Sequence, residues 1–273
     1  MIVNNIFVFL KILFFAINCD IICHMNVVFT LLKILLILIC AFLGLHILFA
    51  AALYLISLTV DDSKPIEKQK KIYRYGCVAF CKWACGLPCV RVHVSGEEKI
   101  PTDERFVFIS NHRGYYDPLS VTCALSKYNI SFLSKPSNMK IPGLGKLSYG
   151  AGYLPINREN DREALKTIIQ AADYMKKDFC SMGIYPEGTR NSENSLLPFH
   201  AGSFKLAKKA KSPIVIASTR NSDEVFKHLF IKPTDIYIDI IEVISKEKVS
   251  EMSTKELSDY SYEVINGHLY GKN

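Results

Sequence analysis

The sequence predicts an α/β fold: a mixed β-sheet flanked by helices, preceded by an N-terminal membrane-anchoring helical segment. Three observations predict it. Ile34 to Leu58 is a 25-residue stretch with no formal charge, and about 20 apolar residues suffice to cross a bilayer core. From Val90 onward, apolar runs of strand length recur, bounded by Gly, Pro, Ser or Asn. Between them lie segments with helical spacing, and strands alternating with helices build a sheet covered by helices. The expected organisation is a membrane anchor at 1–60, a basic amphipathic connector at 61–89 and one domain at 90–273.

In order, Ile6 to Ile17 is a shorter apolar run broken by Lys11, suited to the membrane interface or to pairing with the main span. Val27 to Leu32 extends the span beyond Lys33, so one long helix or a bent hairpin both fit. A cleaved signal peptide is disfavoured, because the apolar run is too long and no small-residue cleavage site follows it. Lys64, Lys68, Lys70, Lys71 and Arg74 follow the span, against Lys11 and Lys33 before it. The positive-inside rule therefore places the C-terminal domain on the cytoplasmic side. In the connector, Cys77, Cys81, Cys85 and Cys89 recur every four residues. They read as small buried side chains on a helical stripe, with reversible acylation as the alternative. Pro88 stops that helix.

Val90 to Val94 alternates as a strand, with His93 on its exposed side; Phe106 to Ile109 reads as a buried strand. Asp117 followed by Pro118 predicts a helix start, Asp at the cap and Pro at the first helical position. Ile130 to Leu133 is a short strand, and Tyr153 to Ile156 is extended. Glu159 to Lys177 is an amphipathic helix with Leu165, Ile168, Ile169, Ala172 and Met175 on one side. Phe179 to Tyr185, Ile214 to Ala217 and Ile236 to Ile244 are strands. Gly202 to Lys211 and Lys255 to Leu269 are helices.

Composition narrows the partners. The 273 residues carry a net charge of +7, of which only +1 lies in residues 1–60. A basic soluble part behind an apolar N-terminus suits anionic membrane surfaces and phosphorylated ligands. No zinc-finger spacing, aromatic RNA-binding signature or strongly basic tail points to nucleic acid. Nine scattered cysteines argue against a disulfide framework and for a reducing compartment.

The chemistry centres on Asn111-His112-Arg113-Gly114-Tyr115-Tyr116-Asp117-Pro118, which follows a strand. A loop there can fold back so that a carboxylate fixes one imidazole nitrogen and leaves the other as a base. Taken alone, the pair reads more readily as a surface loop with an ordinary capping Asp. Two more strand ends add to it: Gly152 to Arg158 delivers one arginine, and Pro186-Glu187-Gly188-Thr189-Arg190 a second beside a permissive Gly. Two arginines at strand ends can hold a phosphate bidentately.

These motifs, in this order, resemble those of the glycerolipid acyltransferase family: Asn-His-x4-Asp-Pro, Gly-x5-Arg, Pro-Glu-Gly-Thr-Arg, then the apolar strand Ser212 to Ala217. The resemblance covers roughly residues 90–220 and is narrowest to members that act on 1-acyl-sn-glycerol-3-phosphate. Two positions depart from it: Pro155 lies where the family has an apolar or aromatic residue, and Ala217-Ser218-Thr219 replaces the usual Pro-Val. The resemblance implies that His112 is the base and Asp117 orients it. Arg158 and Arg190 would bind the acceptor phosphate, with Glu187, Gly188 and Thr189 shaping the pocket. An acyl group would pass directly from acyl-CoA or acyl-carrier protein to the sn-2 hydroxyl of lysophosphatidic acid, giving phosphatidic acid. Neither a metal nor a cofactor beyond the co-substrate is expected. Lys135 and Lys140 fit contacts either to anionic substrate groups or to membrane lipid headgroups. The alternatives are another lysophospholipid acceptor, a membrane-bound thioesterase or hydrolase using the same pair, and a non-catalytic lipid-binding module. The sequence has no Gly-x-Ser-x-Gly elbow that would favour a hydrolase.

Overall fold

A computed structural model describes residues 2–67, 70–229 and 231–271. The chain forms two compact units, 1–52 and 53–273. Helix α1 runs unbroken over Ile2–Ser57, so of the two arrangements the sequence allowed it is the single long helix. Its stretch Met25–Ser57 is 33 residues long and apolar enough to cross a membrane. The side chains of Ile6 and Ile17 lie outside the described residues.

In the second unit, seven strands form one sheet in the order β1-β7-β6-β2-β5-β3-β4. They are β1 (Val90–Ser95), β2 (Val107–Ser110), β3 (Ile130–Ser134), β4 (Leu154–Pro155), β5 (Ser181–Ile184), β6 (Ile214–Arg220) and β7 (Thr234–Ile244). Neighbours are parallel except β6 and β7, so β1 and β7 run against the other five. The helices are α2 (Lys71–Gly86), α3 (Tyr116–Ala124), α4 (Leu144–Gly150), α5 (Asp161–Lys176), α6 (Lys205–Ala210), α7 (Val225–His228), α8 (Lys246–Glu251) and α9 (Thr254–Tyr270).

Strand β2 is buried at every position. Val107 and Ile109 enter the core shared with α5, α6 and α9. Phe106 and Phe108 enter the core on the other face, shared with α2 and α3. A strand covered on both faces reads as a continuous apolar run, which is why it was visible in the sequence. Cys77, Cys81 and Cys85 are buried on one stripe of α2, and Cys89 is exposed. Residues 61–89 belong to the second unit.

Two local readings are corrected. Helix α3 starts at Tyr116, and Asp117 sits inside its first turn instead of capping it. On α5, Leu165 and Ile169 are exposed. The buried row is Ile168, Ala171, Ala172, Tyr174 and Met175, so the helix faces the core along a line turned away from Leu165 and Ile169. Pro155 fits where it stands: β4 is a two-residue edge strand, where a missing N–H costs no ladder bond.

Gly183 in β5 lies against the Phe132 ring, and a Cβ there would collide with it. Gly183→Ala is expected to destabilise the fold by about 1–3 kcal/mol through overpacking, readable as a lowered Tm. Phe132 stacks on Tyr185, which stacks on His112, so activity should fall with it.

Candidate active site

The loops after β2, β3, β4, β5 and β6 all leave one edge of the sheet, because these five strands are parallel. Ligand sites of α/β sheets form at this edge. The strand order decides the neighbours. Strand β2 lies between β5 and β6, so the His112 loop is flanked by the loops carrying Glu187 and Ser222.

The carboxylate of Asp117 is fully buried and is the hub. Its Oδ2 is 2.7 Å from His112 Nδ1. The same oxygen accepts the backbone N–H groups of Arg113 (2.7 Å) and Gly114 (2.9 Å). Its Oδ1 accepts the hydroxyl of Ser222. A carboxylate can only accept, so Nδ1 carries the imidazole proton and Nε2 presents a lone pair. The imidazole plane is set by Tyr185, whose ring stacks on it at a centroid distance of 4.2 Å.

The backbone around His112 is held as tightly as its ring. Glu187 is buried, and its Oε1 accepts the His112 N–H at 2.7 Å while Oε2 accepts the Leu197 N–H at 3.0 Å. Burial raises its carboxyl pKa, and these two N–H groups pull against that shift. The His112 carbonyl accepts the Asn191 N–H at 2.7 Å. Asn111 bridges to β6, accepting the Thr219 N–H at 2.7 Å and donating to its carbonyl at 3.0 Å. Arg113 forks onto Asp223 at 2.9 and 3.1 Å.

His112 opens onto a cleft of about 450 Å³. Arg158, Arg190, Lys135, Gly188 and Thr189 line it, together with the apolar Phe132, Leu133, Tyr153 and Ile156. Solvent reaches Arg158, yet desolvation by the surrounding protein lowers its pKa, and no carboxylate perturbs it. Arg190 stacks 3.5 Å over the Tyr115 ring. Gly188 has φ +77°, a conformation that strains any residue with a Cβ.

Of the residues singled out in the sequence, His112, Arg158, Gly188, Thr189 and Arg190 meet in this cleft, and Asp117 stands behind His112. Glu187 does not line it; the turn after β5 points its carboxylate inward to the His112 backbone. Lys135 lines the cleft and Lys140 does not. Sequence reading missed Ser222, Asp223, Tyr185 and Tyr115. Tyr115 and Tyr185 adjoin recognised motifs, but Ser222 and Asp223 follow β6 and reach the loop only through the strand order.

Glu187→Gln replaces one acceptor by an N–H donor facing a backbone N–H. It is expected to cost about 1–3 kcal/mol and to lower kcat by displacing the His112 backbone, which melting curves and steady-state rates would report.

An imidazole whose tautomer is fixed by a buried carboxylate stands beside two arginines with no carboxylate partner among the described residues, an arrangement that can take up a proton next to an anionic group. The family model described as "Acyltransferase" matches residues 91–219. The 1-acyl-sn-glycerol-3-phosphate acyltransferase of Haemophilus influenzae is 36% identical over 132 residues, 46% of this chain and 55% of that protein. A Caenorhabditis elegans protein provisionally named 1-acyl-sn-glycerol-3-phosphate acyltransferase acl-1 is 30% identical over 188 residues, 68% of this chain and 70% of that protein. The crystal structure of the 1-acyl-sn-glycerophosphate acyltransferase PlsC from Thermotoga maritima shares the fold, with a TM-score of 0.63 at 21% identity over 81% of this chain and 87% of that one. The chain belongs to the acyltransferase family, the O-acyltransferases of 1-acylglycerol-3-phosphate among them.

Proposed function

We propose that this protein transfers an acyl group from acyl-CoA or acyl-carrier protein to the sn-2 hydroxyl of 1-acyl-sn-glycerol-3-phosphate, giving phosphatidic acid for phospholipid synthesis. The observation that carries the proposal is the placing of the His112–Asp117 pair and two arginines without carboxylate partners in one cleft. His112 Nε2 takes the proton of the sn-2 hydroxyl as its oxygen attacks the thioester carbonyl. The C–O ester bond forms, the C–S bond breaks, and the proton passes to the leaving thiolate. Asp117 holds the ring and stabilises the imidazolium formed on the way. Among the described residues no hydroxyl or thiol is hydrogen-bonded to His112, as a nucleophile activated by it would be. That favours direct transfer over an acyl-enzyme.

Arg158 and Arg190 hold the acceptor phosphate, and the apolar side chains of the cleft receive hydrocarbon. The span in α1 keeps the site beside a bilayer in which acceptor and product reside. This avoids extracting an acyl chain into water, at about 0.8 kcal/mol per CH₂. The basic residues that follow the span support a cytoplasmic placement of the second unit.

The deciding assay is CoA release from acyl-CoA, with 1-acylglycerol-3-phosphate, with lysophospholipids of larger headgroup, and with no acceptor. Preference for the first supports the proposal. Equal use of the others reassigns the acceptor, and free fatty acid released without any acceptor makes the protein a hydrolase. Arg158→Ala and Arg190→Ala are each expected to raise the acceptor KM about 10- to 100-fold, the worth of a charged hydrogen bond. Lysine at either position should restore only part of this, because it lacks the bidentate fork.

A further inference from the structure

The segment 196–200 runs alongside the loop 185–190. Leu197 N–H donates to Glu187 Oε2 at 3.0 Å, and His200 N–H donates to the Pro186 carbonyl at 2.9 Å. From the other side, the hydroxyl of Ser258 on α9 donates to the Phe199 carbonyl at 3.3 Å. These bonds set the exposed His200 imidazole against Gly188. A Cβ placed on Gly188 would be 3.1 Å from His200 Nε2 and 3.7 Å from Arg158 Nη1. His200 lies just outside the residues that line the cleft, and the two nitrogens are within about 7 Å of each other, a span one phosphate can bridge with two oxygens. Neither side chain has a hydrogen-bond or carboxylate partner among the described residues.

We infer that His200 is a third ligand of the acceptor phosphate, which sits beside Gly188 between Arg158 Nη1 and His200 Nε2. This rests on the proposed phosphate-binding reading and assigns a residue outside the four motifs that suggested it. His200 donates one N–H to a phosphate oxygen and takes no part in proton transfer, which belongs to His112. Gly188 then serves two ends: its φ of +77° shapes the turn, and its missing side chain lets the His200 ring pack close to the loop.

The test is steady-state kinetics of the full-length protein in detergent micelles, varying 1-acylglycerol-3-phosphate and acyl-CoA separately. His200→Ala is expected to raise the acceptor KM about 10-fold, with kcat and the acyl-CoA KM unchanged. His200→Lys should recover most of the loss, because an N–H donor is restored at the same place. With 1-acylglycerol, which has no phosphate, wild type and His200→Ala should be equally poor. An unchanged acceptor KM in His200→Ala, beside a raised one in Arg158→Ala, overturns the inference and leaves the phosphate-binding reading standing. If neither variant changes the acceptor KM, both fall. An equal loss with 1-acylglycerol, or a loss confined to kcat, assigns His200 to shape or folding and overturns the inference as well.

Discussion

His112→Ala is expected to lower the rate of acyl transfer about 10²- to 10⁴-fold, the usual contribution of a positioned general base. The fold should survive. The imidazole is partly exposed, and its bonds to the rest of the protein are one contact to Asp117 and one stacked face on Tyr185. The backbone bonds that position the loop run through the His112 N–H and carbonyl, which alanine retains. A melting temperature close to wild type, together with an acceptor KM little changed, would separate loss of the base from loss of structure. Wild-type rates in the folded variant would remove His112 from the mechanism.

Asp117→Ala is expected to cost both activity and stability, and this separates it from the first variant. The carboxylate accepts from the imidazole, from two backbone N–H groups and from Ser222. Removing it leaves these buried donors unpaired, at about 3–5 kcal/mol in total once the loop has relaxed. Transfer should fall as far as in His112→Ala, because the ring loses the partner that fixes its tautomer. Asp117→Asn is the sharper probe. It keeps volume and one acceptor oxygen, so much of the stability should return. The oxygen that accepts from the loop N–H groups also accepts from His112 Nδ1, so an amide oxygen placed there keeps the tautomer, and what is lost is the negative charge that stabilises the imidazolium. Activity should stay low while Tm recovers. Activity that recovers in step with Tm would mean that Asp117 acts only as a scaffold.

The two variants also show where sequence legibility ended. The His112–Asp117 pair was readable because both members lie within one short loop after an apolar run. The local capping rule misplaced the start of α3 for the same reason that the site exists: Asp117 turns back to the loop and to Ser222 and does not cap its own helix. Glu187 was recognised as part of a motif, but its inward direction follows from the turn after β5. On α5, the apolar spacing identified the helix but not the row that packs, since Leu165 and Ile169 have the right spacing and stand in solvent.

By itself the sequence determined the apolar span, the α/β alternation, the family and the residues that the motifs carry. These are local properties, written in runs of apolar side chains and short spacings. Only the tertiary structure decided that β2 lies between β5 and β6. Strands buried on both faces read alike and do not specify their neighbours. That order brings Ser222 to Asp117 across 105 positions and Glu187 to the His112 backbone across 75. It also sets His200 beside Gly188 and Arg158 at the edge of the cleft.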